Sequence, residues 1–287
     1  MTTKQAIDAA ASGTFTLGDI SINRLGYGAM RITGDGIWGP PKDRAEAIRV
    51  LKATLDLGIN FIDTADSYGP YVSEELIAEA LYPYPEGVLI ATKGGLERTG
   101  PNQWPVNGRP EHLEEALKGS LKRLKVERID LYQLHRFDKN VPTSEFLGKL
   151  QELQQEGLIR HLGLSEVSVG QIKQAQQYFE VVSVQNKFSV TDRQWQAEVD
   201  WTQEHKIGFI PWYPLDAGAV DNDTLQQIAD KHEASVYQIA LAWLLAYSDN
   251  VLPIPGTSSV EHLKQNTAAA HVTLDDEDRR ALDKLGG

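Results

Sequence analysis

Four residues of the 287-residue chain have types and positions that suit joint acid–base chemistry. Asp63 and Tyr68 share the segment FIDTADSYG, Lys93 follows in LIATKGG, and His135 in DLYQLHRFD. A tyrosine phenol titrates near pH 10, too high for an effective acid at neutral pH. A neighbouring ammonium favours the phenolate and is expected to lower that value. Lys93 is suited to this, held in place and kept charged by Asp63. Tyr68 then donates a proton to a carbonyl oxygen as negative charge develops there. His135 orients the same oxygen through a ring N–H. None of the four is a strong nucleophile, so a hydride must come from a cofactor.

Each residue alone also has an ordinary structural reading. A strand-end Asp caps a turn, a loop Tyr packs as an amphipath, a strand-end Lys reaches for water, and a lone His is usually structural. Their joint occurrence at three consecutive strand ends weakens the chance explanation. Near the C-terminus, PGTSS runs into a helical pattern starting close to Ser259. Its backbone N–H groups and hydroxyls suit an anion such as a 2′-phosphate. Simple N-capping by Ser258 or Ser259 is the alternative.

The elements that must position these residues follow a regular rhythm. A hairpin is expected over 15–22, turning at Gly18-Asp19. Eight short apolar runs then read as strands: 25–30, 61–62, 88–92, 129–134, 159–164, 181–185, 208–211 and 251–254. Amphipathic helical patterns lie between and after them: 43–57, 73–81, 110–124, 143–156, 169–178, 191–205, 222–231, 235–246, 259–269 and 275–285. Alternation of this kind predicts parallel strands with crossover helices. Eight repeats without a linker favour a closed (β/α)8 TIM barrel over an open sheet. The whole chain, 1–287, is expected to form one barrel domain, with about 1–14 as an N-terminal extension and extra helices near the C-terminus. Chemistry on such a barrel belongs at the carboxyl ends of the strands. The long irregular stretches 31–42 and 94–109 both follow strands, so both should cover that face.

Bulk composition narrows the function classes. Lys plus Arg is 28 and Asp plus Glu is 40, a net charge of −12, which argues against a nucleic-acid surface. There is no cysteine, so disulfides and thiolate catalysis are excluded. The N-terminus lacks a signal-peptide pattern, and no run approaches the roughly 20 apolar residues of a membrane span. A cytoplasmic location, with no membrane partner, follows by default.

Taken in order, the motifs resemble the aldo-keto reductase family over nearly the whole chain. LGYGAMRI resembles its first-strand signature, FIDTADSYG the second, TKGG the third and LHRFD the fourth. GLIRHLGLSEV, SVQNKFS, PWYPL and LPIPGTSSVEHLKQN resemble the remaining four. The resemblance implies reduction of an aldehyde or ketone by hydride transfer from NADPH. It implies that Asp63, Tyr68, Lys93 and His135 are the catalytic tetrad. Ser165, Glu166 and Gln185 match positions around the nicotinamide carboxamide, Trp212 a stacking aromatic, and Gly28, Ala29 and Met30 the first-strand wall. Pro214, Leu215 and Gly218 match the loop near the pyrophosphate. Gly256, Thr257, Ser258, His262, Gln265 and Asn266 match the adenosine end.

Three departures from the family pattern stand out. Glu166 stands where Asn is common, Trp212 where Tyr is commoner, and His262 where many members place an Arg facing the 2′-phosphate. A neutral His offers less than a bidentate guanidinium, so NAD(H) stays open beside NADP(H). Within the family, LGYGAMRI, GIWGPP and ALYPYPE look closest to bacterial members that include pyridoxal reductases. A pyridoxal-like aromatic aldehyde is therefore one expected substrate, with Trp38 and Trp104 as candidate pocket walls. Monomers are common among similar proteins, so a monomer is expected. Two other classes compete: a non-catalytic NADPH-binding regulatory subunit of the same fold, and a metal-dependent barrel hydrolase. The seven His residues contain no HxH or HExxH pattern, which opposes the metal reading.

Overall fold

Alternating side chains along short parallel strands build the ring that carries the site. The structure is a computed structural model that describes residues 6–215 and 222–286. Strands β1 (Thr14–Leu17) and β2 (Ile20–Asn23) form the expected hairpin. Strands β3 (Tyr27–Gly28), β4 (Phe61–Asp63), β5 (Leu89–Gly94), β6 (Ile129–Leu134), β7 (Ile159–Ser165), β8 (Val181–Gln185) and β9 (Gly208–Phe209) pair in parallel, in chain order. The segment 251–254 closes the ring. Leu252 N donates to Phe209 O at 2.8 Å, and Gly26 N donates to Pro253 O at 2.9 Å. The fold is thus the (β/α)8 barrel.

Helices α1 (Arg44–Asp56), α2 (Val72–Leu81), α3 (Pro110–Leu124), α4 (Thr143–Gln155) and α5 (Val169–Ala175) cover the first part of the ring. Helices α6 (Gln196–Glu204), α7 (Asp223–Lys231), α8 (Val236–Tyr247), α9 (Val260–Ala268) and α10 (Asp276–Asp283) complete the outer layer.

Several expected elements are shorter than read from sequence, three of them for an identifiable local reason. The eighth strand pairs only through an isolated bridge because Pro253 and Pro255 bring no N–H to the ladder. The first is limited to Tyr27–Gly28 because the chain winds into a 3-10 turn over Ala29–Ile32. The sixth helix begins at Gln196, not near 191. The Ser189 hydroxyl takes the amides of Thr191 and Asp192, a local bonding pattern that competes with helix.

The strand period of two sorts the barrel interior into layers. Inward-facing Phe61, Leu89, Ala91, Leu131, Val182 and Leu252 form an apolar lower layer. Leu17 and Ile22 of the hairpin plug it from below. Farther up the same inward columns come Asp63, Lys93 and Gln133, all buried. Outward residues such as Ile62, Ile90, Leu134 and Leu164 join the shell beneath the helices.

Arg24 ties the base of the barrel together. It is buried, and its Nη2 donates to the carbonyls of Leu245 at 2.8 Å, Ser248 at 2.6 Å and Val251 at 3.2 Å. Arg24→Met should leave these carbonyls unanswered and cost about 3 kcal/mol. Urea unfolding with an unchanged midpoint would show that the strap carries no stability.

Candidate active site

Asp63 ends β4, Lys93 lies in β5, and the strand register sets Lys93 opposite Gln133 of β6. The ladder continues past the strand ends: Thr64 N donates to Ala91 O at 2.8 Å, Asp66 N to Lys93 O at 3.1 Å, and His135 N to Gly94 O at 2.9 Å. These bonds fix the loop that presents Tyr68 and the backbone that presents His135.

The four side chains converge. Lys93 Nζ, wholly buried, donates to Asp63 Oδ1 at 2.5 Å and to Thr64 O at 2.8 Å, and reaches the Tyr68 hydroxyl at 3.4 Å. Asp63 Oδ2 accepts from Gln133 Nε2 at 3.0 Å and Gln185 Nε2 at 2.9 Å. The rings of Tyr68 and His135 meet edge-on with centroids 6.0 Å apart. Ser67 Oγ lies 3.5 Å from His135 Nδ1.

The electrostatics correct one expectation. Burial raises the Tyr68 phenol above its usual value, and the opposing pull of Lys93 does not overcome it. Tyr68 therefore stays protonated at neutral pH. Burial alone would push Lys93 down, but attraction to Asp63 and Tyr68 and their hydrogen bonds hold it above the usual lysine value. His135 is pushed well below its ordinary value by burial and by the cations Lys93 and Arg136, so its ring is neutral.

A cavity of about 570 Å³ opens above these groups. Its wall includes Gly28, Ala29, Met30, Ser165, Gln185, Trp212, Pro214, Leu215 and Gly256 from the expected cofactor set. Gly28 and Gly256 lie back to back: a Cβ on Gly256 would sit 2.9 Å from Gly28 O. Trp104 lines the cavity with Leu96 and Val106, whereas Trp38 lies off its wall. The Arg98 guanidinium explains both tryptophans. It stacks on Trp104 at 3.6 Å and reaches Trp38 at 5.5 Å. It also donates to the carbonyls of Ile37 and Ser67 at 2.7 Å, strapping the two covering loops together.

Glu166 lies behind the cavity wall. Its backbone is left-handed at φ 55°, a region Asn tolerates better than Glu. Its carboxylate accepts from Lys187 N at 3.0 Å and from Trp212 Nε1 at 2.5 Å, which holds the indole upright. The remaining expected residues gather at the start of α9. Ser259 is the N-cap there, accepting from His262 N at 3.4 Å, so the capping alternative holds for Ser259. Glu46 of α1 takes the Val260 amide at 3.0 Å. Ser258, His262 and Gln265 are exposed, and Thr257 and Asn266 are buried. Gly218 lies outside the described residues.

Sequence reading missed Gln133 and Arg136. A glutamine in the apolar run of β6, on the same inward column as Leu131, was the available signal for the first. Arg136, directly after His135, had none, because only the folded chain shows that it lines the cavity.

A model of the aldo/keto reductase family matches residues 24–286. The chain belongs to that family. It is an oxidoreductase in consequence. An uncharacterized oxidoreductase of Schizosaccharomyces pombe is 50% identical over 283 residues, covering 98% of this chain and 92% of the relative. Pyridoxine 4-dehydrogenase of Escherichia coli is 41% identical over 282 residues, covering 96% and 99%. Among solved structures, a thermostable aldo-keto reductase in complex with the inhibitor epalrestat has a TM-score of 0.83 at 31% identity, covering 95% of this chain and 99% of that one. An aldo-keto reductase from Klebsiella pneumoniae in complex with NADPH has a TM-score of 0.79 at 25% identity, covering 95% and 94%.

A second buried polar group sits beside this site. Asp66 is buried, and its Oδ1 has no hydrogen-bond partner among the described residues. Burial and the neighbouring Glu74 carboxylate raise its carboxyl well above 3.8. Above that value the unfolded chain releases the proton while the folded chain keeps it. Wild-type stability is therefore lost as pH rises toward the folded value. Asp66→Asn should remove this loss and stabilise the protein by about 2 kcal/mol near pH 8, with a smaller gain near pH 5. Melting curves with a pH-independent gain would contradict the assignment.

Proposed function

We propose that this enzyme reduces a small aldehyde or ketone to the alcohol with NADP(H), with Tyr68 as the proton donor. The 3.4 Å approach of Lys93 Nζ to the Tyr68 hydroxyl carries the reading. The phenol is protonated in the resting site, as a donor must be. As its proton leaves, the adjacent ammonium stabilises the phenolate that remains. Asp63 holds the ammonium, and Gln133 and Gln185 hold Asp63, so the charge needs no reorganisation during transfer. When the Ser67 hydroxyl donates to Nδ1, the neutral His135 ring carries its proton on Nε2, the nitrogen left to engage the carbonyl oxygen.

The residues present fit a nicotinamide cofactor. Gln185 spends its amide on Asp63 and keeps Oε1 for a carboxamide. Ser165 accepts from Arg136 at 3.0 Å and keeps its hydroxyl proton to donate. Trp212 offers a fixed aromatic face, and the paired glycines leave room for a backbone-close phosphate chain. When bound, the reduced nicotinamide supplies the hydride. The exposed Ser258 hydroxyl and the exposed His262 and Gln265 side chains at the start of α9 are the natural seat of the adenosine phosphate. The NADPH-bound relative supports this cofactor.

The 41% identical relative is named for pyridoxine, whose oxidised partner is an aromatic aldehyde. That supports a pyridoxal-like substrate, with Trp104 against its ring.

Tyr68→Phe should lower carbonyl turnover at least about a hundredfold, and Lys93→Met similarly, while NADPH still binds to Tyr68→Phe with little change. Loss of folding in Tyr68→Phe would instead make residue 68 a core element. Fluorescence titration should show NADPH binding about tenfold more tightly than NADH; equal affinities would remove the phosphate seat.

A further inference from the structure

Among the described residues, Arg136 is a cation with no ion pair of its own at the cavity wall. It lines the wall with Tyr68, His135, Ser165 and Trp212. Only its Nη1 is engaged, donating to His135 O at 2.6 Å and Ser165 Oγ at 3.0 Å. Its Nε and Nη2 make no hydrogen bond among the described residues, and neither is sealed from solvent. Glu166 attracts it from beyond ion-pair distance, but Oε1 of that carboxylate is committed to Trp212 and Lys187. Arginines elsewhere in the fold are differently placed. Arg98 and Arg24 spend their donors on backbone carbonyls, and Arg123 pairs with Glu74 at 2.6 Å.

A half-buried guanidinium is normally paired or fully hydrogen-bonded. Arg136 instead lines the cavity with two donors on one guanidinium edge uncommitted among the described residues. That edge matches the two oxygens of a carboxylate or phosphate. The positions of its bound partners limit what it can reach. His135 O and Ser165 Oγ fix it between the proton-transfer end of the cavity and the carboxamide seat. An anionic group on the same small skeleton as the reacting carbonyl falls within this range.

We infer that Arg136 selects carbonyl substrates bearing an anionic oxygen group: a carboxylate or phosphate on the skeleton that carries the aldehyde or ketone. This rests on the carbonyl-reductase reading above and narrows its substrate class. The net charge of −12 gives no long-range attraction for such a molecule. Selection comes from the local guanidinium, after entry, and appears in KM more than in kcat.

The test compares the 2-, 3- and 4-formylbenzoates with their methyl esters, using NADPH and the intact enzyme. For at least one isomer the free acid should exceed its ester in kcat/KM by at least about tenfold. In Arg136→Met that ratio should fall to about one. A wild-type ratio of one or less for every isomer overturns the inference. So does a ratio unmoved by the substitution. A weakened NADPH affinity with the ratio intact overturns it too, assigning Arg136 to the cofactor. A variant that does not fold leaves a wild-type measurement. Benzoate should displace bound aldehyde, or bind the enzyme–NADPH complex, at least about tenfold more tightly than benzamide; equal binding overturns the inference. If no aldehyde is reduced, the reductase reading fails, while the benzoate–benzamide comparison still judges Arg136.

Discussion

A lysine ammonium sealed inside a barrel has to be answered by a carboxylate, and the Lys93–Asp63 pair meets that demand. Burying either charge alone would cost several kcal/mol. At 2.5 Å, with Thr64 O as a second acceptor for Lys93 and two glutamine amides on the far oxygen of Asp63, every strong donor or acceptor of the pair is occupied. The pair thereby becomes a rigid foundation, and the phenol and imidazole rest on it. It also governs the surroundings. The cation on Lys93 helps keep His135 neutral, and it opposes the effect of burial on Tyr68 without reversing it.

Much of this was legible in the chain before folding. The eight-fold alternation gave the barrel, because strand and helix periods are local properties. The four converging residues were visible because each follows or ends an apolar run. Where the sequence misled, the cause lies in tertiary context. Two prolines trimmed the eighth strand, a signal that was present but outweighed by the apolar pattern. The direction of the Tyr68 shift depends on desolvation, which no spacing of residues reports. Trp38 and Trp104 look alike in sequence and both meet the Arg98 guanidinium, yet only Trp104 lines the cavity. Arg136 reads as the neighbour of a histidine until the strand ends bring Ser165 beside it.

Two non-catalytic side chains keep the site in shape. Arg98 spends its donors on loop carbonyls, so segments 31–42 and 94–109 are tied into one cover. Glu166 accepts a strained backbone position and in return anchors Trp212. An asparagine there would relieve the strain, but its shorter side chain would give up the reach to the indole. Glu166 and Trp212 thus form one coupled feature.

The hairpin plug bears on how the chain is made. Leu17 and Ile22 lie near the start, and Leu252, which packs with them, lies near the end. On a ribosome, the first apolar face would emerge on the order of tens of seconds before its last partner. During that interval the half-made ring has two open strand edges, each able to pair with another nascent chain. Closure is a late, long-range event, of the kind that slows folding. The plug therefore stays unsealed for as long as synthesis separates it from the segment that carries Leu252.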